Sequence, residues 1–173
     1  MSKEDLSPDV YRLINEVFLL GDDIDRQLFG HFRLTVRQYH LLNWLDVRGQ
    51  AGLTELAQLL LCDKSNVTHI ARRLLAANLI EKVPDEDRRF TVVRLSAAGR
   101  EIHDKAKIAL ADSIAVRFAD TPQSEHRQLL VLLGEMHARL RGYIAHLDNT
   151  NNTDKNVSDL PSSANSDTIE ENA

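Results

Sequence analysis

Cysteine is almost missing from this chain: Cys62 is the single example among 173 residues. One thiol excludes an internal disulfide, and with it the small secreted scaffolds that rely on such bridges. Glycine (7) and proline (4) are also sparse. The glycines form no phosphate-cradling loop of the nucleotide-binding kind. No apolar run approaches the roughly 20 residues of a membrane-spanning helix, and no secretory signal is seen. The seven histidines are scattered, and neither a nucleophile elbow nor a pair of carboxylates accompanies them. These absences predict a soluble, cytoplasmic protein that is not an enzyme, has no cofactor and makes no contact with membrane.

Charge is plentiful, and its placement matters more than its sum. The formal net charge is −5. Residues 148–173 carry six acids (Asp148, Asp154, Asp159, Asp167, Glu170, Glu171) against Lys155, whereas residues 1–147 hold 20 acidic and 20 basic side chains. The acidity thus belongs to a tail of Asn, Ser, Thr and Asp that has almost nothing to bury. Such a segment is expected to be disordered.

Residues 54–95 carry the most information. A short helix (TELAQLLL) is followed by a polar break at Cys62 and Asp63, a second helix (KSNVTHIARRLLAAN), and a charged hairpin. In the second helix Val67, Ile70, Ala71, Leu74 and Leu75 fall on one stripe at helical spacing, the pattern of a core-facing surface. The opposite face presents Lys64, Ser65, Asn66, Thr68, His69, Arg72 and Arg73, with no carboxylate among them. Asp63 is placed to cap this helix and Asn78 to end it in a left-handed conformation. Residues 79–83 and 90–95 read as strands joined by Pro84-Asp85-Glu86-Asp87-Arg88-Arg89. Arg88 and Arg89 at the tip suit a backbone or minor-groove contact, with Asp87 orienting Arg89 across the turn. The order is that of a winged helix-turn-helix, which offers one helix to the major groove. Cys62, at the helix junction, reads as a packing thiol.

These residues resemble the MarR-type transcriptional regulators. The likeness spans residues 11–147. It rests on Leu34-Thr35 with Gln38, Leu53-Thr54 with Leu56-Ala57, Val67-Thr68, Arg73-Leu74 and Leu79-Ile80. The Asp87-Arg88-Arg89 wing and Val93-Arg94-Leu95-Ser96 with Gly99 complete it. The resemblance implies a mainly α fold with a small β-hairpin wing and a homodimer on a pseudopalindromic double-stranded DNA operator. It also implies a repressor relieved by a small ligand. Two departures are visible: Asn78 replaces the usual Gly before the hairpin, and Arg72 stands where many members carry an acid. The alternative is a winged-helix module that uses this face on protein without sequence-specific DNA binding; the cations Lys64, Arg72, Arg73, Arg88 and Arg89 favour DNA.

The rest of the chain reads as a dimerisation frame: 1–33 an N-terminal helix, 34–95 the DNA-binding domain, 96–147 C-terminal helices, 148–173 the acidic tail. Ser7 reads as the N-cap of a first helix, with Pro8 at the first helical position. Val10, Leu13, Ile14, Val17, Phe18 and Leu20 follow it at helical spacing. Thr35 and Gln38 form a capping box for a helix closing near Gly49. Ser96 caps a long helix reaching about Ala119. A last helix after Thr121-Pro122 carries Leu129, Leu130, Leu132, Leu133, Met136, Leu140, Ile144 and Leu147. Two-fold pairing of the first and last helices would bury this surface. For an effector, the family implies a cleft where the reader joins the frame. Tyr39, His40 and Trp44, with Arg12 or His40 meeting a carboxylate, would suit a small aromatic acid. Asp22, Asp23, His31, His40 and His103 are conceivable metal ligands, but they match no compact motif and no metal is expected.

Overall fold

Proline is tolerated in the first turn of a helix, where its missing N–H has no partner to lose. The first helix, α1 (Ser7–Gly30), uses this with Pro8. Leu6 holds the N-cap position, and the Ser7 N–H donates to Asp5 Oδ1 at 3.0 Å. Ser7 is therefore a helical residue, and Asp5 does the capping expected of it. This is a computed structural model, and it describes residues 5–84 and 91–158, with 148–158 described by their backbone alone.

Helix α2 (Val36–Arg48) opens with the expected capping box. The Gln38 N–H donates to Thr35 Oγ1 at 3.2 Å, and the Thr35 N–H donates to Gln38 Oε1 at 2.8 Å. Gly49, at φ 76°, ends it in a conformation that costs glycine little. A short strand, β1 (Gln50–Gly52), then leads into α3 (Leu53–Leu59) and α4 (Lys64–Ala76). On α4, Val67, Ile70, Ala71 and Leu74 are buried, and Leu75 packs half-buried against them, as the stripe predicts. Asn78 takes the expected left-handed backbone at φ 55°. Asp63 stands at the N-cap of α4, but its carboxylate makes no cap hydrogen bond. The residue is exposed, so hydration competes with the helix N–H groups for that carboxylate.

Strands β2 (Ile80–Lys82) and β3 (Val92–Leu95) pair antiparallel, Ile80 opposite Leu95 and Lys82 opposite Val93. The wing is more than a hairpin, because β1 pairs with the other edge of β3, Gln50 opposite Arg94 and Gly52 opposite Val92. Residues 85–90, including Asp87, Arg88 and Arg89, lie outside the described residues.

After the sheet, α5 (Ala97–Arg117) is capped by Ser96 as expected. Ser96 Oγ accepts the Gly99 N–H at 2.9 Å and donates to the Asn78 carbonyl at 2.6 Å. The start of α5 thus rides directly on the turn after α4. Gly99 permits this: a Cβ there would stand 1.7 Å from the Leu79 carbonyl oxygen.

Helix α2 lies at the centre of this unit, touching α1, α3, α4, α5, β1 and β3. Its Leu41, Leu42 and Leu45 are fully buried, along with Phe29, Leu56, Val67 and Val93. Residues 120–173 form a second unit, whose helix α6 (Gln123–Ser158) begins just after Thr121-Pro122. It continues past residue 147, so residues 148–158 of the expected tail are helical. Beyond residue 147 no proline or glycine occurs before Pro161, and a polar sequence without a breaker can extend a helix already nucleated. The remainder, 159–173, lies outside the described residues.

Candidate nucleic-acid interface

Seven polar side chains on α4 point away from the core, and the helical period divides them. Asn66, His69 and Arg73, at i, i+3 and i+7, share one flank; Thr68 and Arg72, four apart, share the other. Each flank borders a cleft. The first, about 320 Å³, is lined by Thr35, Gln38, Asn66, His69, Ile70 and Arg73, between α4 and the start of α2. The second, about 200 Å³, lies between α4 and the sheet, with Thr68, Arg72, Lys82 and Thr91 around a floor of Leu53, Ala71, Leu75 and Val93. Helix α4 is a ridge between two grooves.

The electrostatics of the ridge are one-sided. Lys64, Ser65, Asn66, His69, Arg72 and Arg73 are exposed, and no carboxylate lines either cleft among the described residues. Glu81, beside Lys82 in sequence, is held by Arg94 at 2.6 Å; neighbouring strand residues point to opposite faces. Thr68 is the exception on this face. It is half-buried, and its hydroxyl donates to the Lys64 carbonyl at 2.8 Å, so its proton is committed inside the helix. Among the described residues the structure gathers Lys64, Ser65, Asn66, Thr68, His69, Arg72 and Arg73 on one surface. Sequence reasoning missed Lys82, Thr35 and Gln38 beside them. A lysine in a strand following the reader was a usable signal; the approach of α2 to α4 was not, being a tertiary contact.

The residues expected to hold an effector are not brought together. Tyr39 is buried in the core, its ring stacked on Phe29 (centroids 4.0 Å apart) and on His103 (5.6 Å). Trp44 is half-buried against the same core. Arg12 is exposed and ion-paired along α1 with Glu16 (2.9 Å) and Asp9 (3.4 Å). An aromatic beside a histidine reads alike in sequence whether it faces solvent or core, and here α1 covers it. Only His40 borders an open cleft, one of about 360 Å³ with Phe18, Gly21, Asp22, Asp25, Val36, Arg37 and Leu60. Loss of water around the His40 ring lowers its pKa; Asp25 and Asp22 oppose this, and Arg37 reinforces it.

The conceivable metal ligands Asp22, Asp23, His31, His40 and His103 form no common ligand group among the described residues, although Asp22 and His40 line the same cleft. Among the described residues one group of ligand types clusters, Asp46, His103 and Asp104, within 4.8 Å of one another. It lies at the joint of α2 and α5, not at the cleft. Asp46 is already paired with Arg100 (3.1 Å) and Lys107 (3.3 Å). His103 is fully buried, with Nε2 3.3 Å from Asn43 Oδ1 and Nδ1 without a hydrogen-bond partner. Burial lowers its pKa, against the pull of Asp46 and Asp104.

Residues 34–91, from the end of α1 to the start of β3, match the model of the MarR family. Over this segment the chain is similar to the MarR family. Solved MarR-family structures share the fold well beyond it. AbsC, a MarR family transcriptional regulator from Streptomyces coelicolor, is 24% identical, with a TM-score of 0.71 over 82% of this chain and 99% of that one. A cysteine-to-serine mutant of MarR from E. coli, complexed with operator DNA, is 22% identical, with a TM-score of 0.68 over 77% and 99%. BpsR of Bordetella bronchiseptica, whose DNA binding is regulated by 6-hydroxynicotinic acid, is 23% identical, with a TM-score of 0.67 over 75% and 98%. At these identities the likeness speaks for the fold. No curated protein matches the sequence. Among the described residues no helix is long and apolar enough to cross a membrane.

Proposed function

We propose that this chain is a MarR-type, sequence-specific DNA-binding transcriptional regulator, a repressor that acts as a homodimer on a pseudopalindromic operator. The observation that carries the reading is the ridge of α4: exposed, cationic, rich in amide and hydroxyl groups, and free of carboxylates on both flanks among the described residues. Short polar side chains near the N-terminus of such a helix reach base edges, while long cations hold phosphates. Ser65, Asn66 and His69 therefore read bases, with Thr68 contributing its methyl group and acceptor lone pairs. Lys64, Arg72 and Arg73 hold the backbone, and the wing residues Arg88 and Arg89, oriented by Asp87, extend the contact to the minor groove. Apolar side chains exposed along α1 and α6 supply the surface for a second copy.

A selection of bound fragments from genomic DNA tests the reading. The expected result is a two-fold sequence with half-sites one turn apart, about 34–36 Å or ~10 bp. Asn66→Ala should then relax preference at one base pair per half-site by roughly 1–3 kcal/mol. Recovery of no enriched sequence, with equal binding to any duplex, would leave the interaction-module reading in its place.

The same proposal includes relief by a small aromatic acid. The cleft bordered by His40 supports it, with Arg37 rather than Arg12 as the cation at hand. Support also comes from two structural relatives, BpsR with 6-hydroxynicotinic acid and NadR with 4-hydroxyphenylacetate. Titrating salicylate-like acids against the bound operator tests it. Release that is lost in Arg37→Ala agrees, and no release by any such acid assigns the signal to another chemical class.

A further inference from the structure

A recognition helix about 10–12 Å across fills a major groove about 12 Å wide, and the walls of that groove are the two sugar–phosphate strands. A ridge with a cleft on each side must therefore receive one strand per cleft. On the α2 side Arg73 and His69 stand at the rim. On the sheet side the rim carries Arg72 from α4 and, across the cleft, Lys82 from β2. Both are exposed, and neither forms an ion pair among the described residues. Thr91 adds a hydroxyl to the same cleft, whose other lining is largely apolar, which strengthens the field that two cations project.

We propose that Lys82 and Arg72 form a phosphate clamp on the wing side of α4, seating the DNA strand opposite the one held by Arg73. The inference rests on the DNA-binding reading and adds to it a contact residue from outside the helix-turn-helix. It also assigns the cations of α4 to different strands. Arg72 reaches from the helix and Lys82 from the sheet, so a single backbone segment is gripped from both sides. Such a grip sets the angle at which α4 enters the groove, a positioning role distinct from base reading.

The test uses the full chain, a duplex obtained by selection from random sequence, and an unrelated duplex of equal length. Lys82→Ala and Arg72→Ala should each flatten the dependence of log K on log salt by about one, on both duplexes alike. Lys82→Gln should behave as Lys82→Ala. Single methylphosphonate substitutions then locate the contacts. Neutral phosphates that weaken the native protein but no longer affect Lys82→Ala should lie on one strand of the half-site. Those that no longer affect Arg73→Ala should lie on the other. An unchanged salt dependence in both Lys82 variants, or both sets of phosphates on the same strand, would overturn the clamp while leaving the DNA-binding reading intact. Failure of the native protein to bind any duplex would overturn both.

Discussion

The two ends of α1 present opposite situations. Near its C-terminus Phe29 is fully buried against Tyr39, and Leu28 and Phe32 pack on the same core. Near its N-terminus Val10, Leu13, Val17, Phe18 and Leu20 are each more than half exposed. Helix α6 resembles the second situation, with Leu130, Val131, Leu132, Leu133 and Leu140 also more than half exposed. The apolar content of sequence is similar in both settings; the neighbours are not. The winged-helix unit completes its core within one chain. The N-terminal half of α1 and the length of α6 hold leucine surface of a size that monomers rarely leave in water, which is why a second copy enters the proposed function.

Gly99→Ala should do the greatest damage to the completed core. The new Cβ would meet the backbone of Leu79, which has no side-chain freedom to yield. Displacing the start of α5 should cost on the order of 3 kcal/mol or more, read as a fall in the urea midpoint. A midpoint equal to that of the native chain would show that α5 is not locked to the turn after α4.

Leu133→Asp or Leu140→Asp should act on the other side of the comparison. Either charge in a shared leucine surface should raise the dimer dissociation constant about 100-fold, roughly 2.7 kcal/mol, while winged-helix unfolding persists. Sedimentation that finds a native monomer at micromolar concentration would remove the dimer.

His103 gives a pH test of the joint between α2 and α5. Its folded pKa lies below the ordinary 6.5 because burial disfavours the charged ring. The unfolded chain therefore binds the proton more readily. Stability from this group is fully present above about pH 6.5 and is lost as pH falls through the folded pKa. The groups facing it are Asp46 and Asn43 from α2 and Asp104 from α5, with Arg100 and Lys107 held by Asp46. The decline in urea midpoint below pH 6.5 should be shallower in His103→Asn, whatever its absolute stability. Parallel slopes would assign the acid sensitivity to other groups.

The smallest expected effect is at Asn78. Glycine adopts φ 55° more readily than asparagine, so Asn78→Gly should gain up to about 0.5 kcal/mol and Asn78→Ala should lose about 1 kcal/mol. A loss in the glycine variant would mean that the asparagine side chain contributes more than its backbone tolerance.

Much of this architecture is legible in the sequence. The stripe on α4, the caps at Thr35 and Ser96 and the stop at Asn78 depend on residues within a few positions of one another, and the β2–β3 pair on two strands joined by one short segment, so local rules reach that far. What sequence reasoning missed depends on distant partners. Strand β1 is a Gln-Ala-Gly segment without a β-branched residue, and it is extended because β3 lies beside it. Tyr39 is buried because α1 and His103 sandwich it, which no spacing within α2 reveals. The two clefts beside α4 exist because α2 and β2 lie on opposite sides of it. The outward residue types on α4 were readable, but the division between its flanks was not.

The third strand has a mechanical consequence. Because β1 is hydrogen-bonded to β3 and continues without a gap into α3, whose Leu53 N–H donates to the Thr91 carbonyl at 3.3 Å, the base of the wing is not a free arm. Tilting it would drag Gly52 and the entry to α3, and through Gly49 the end of α2. The base of the wing, at Lys82 and Val92, should therefore turn together with α3 and the end of α2 rather than swing alone.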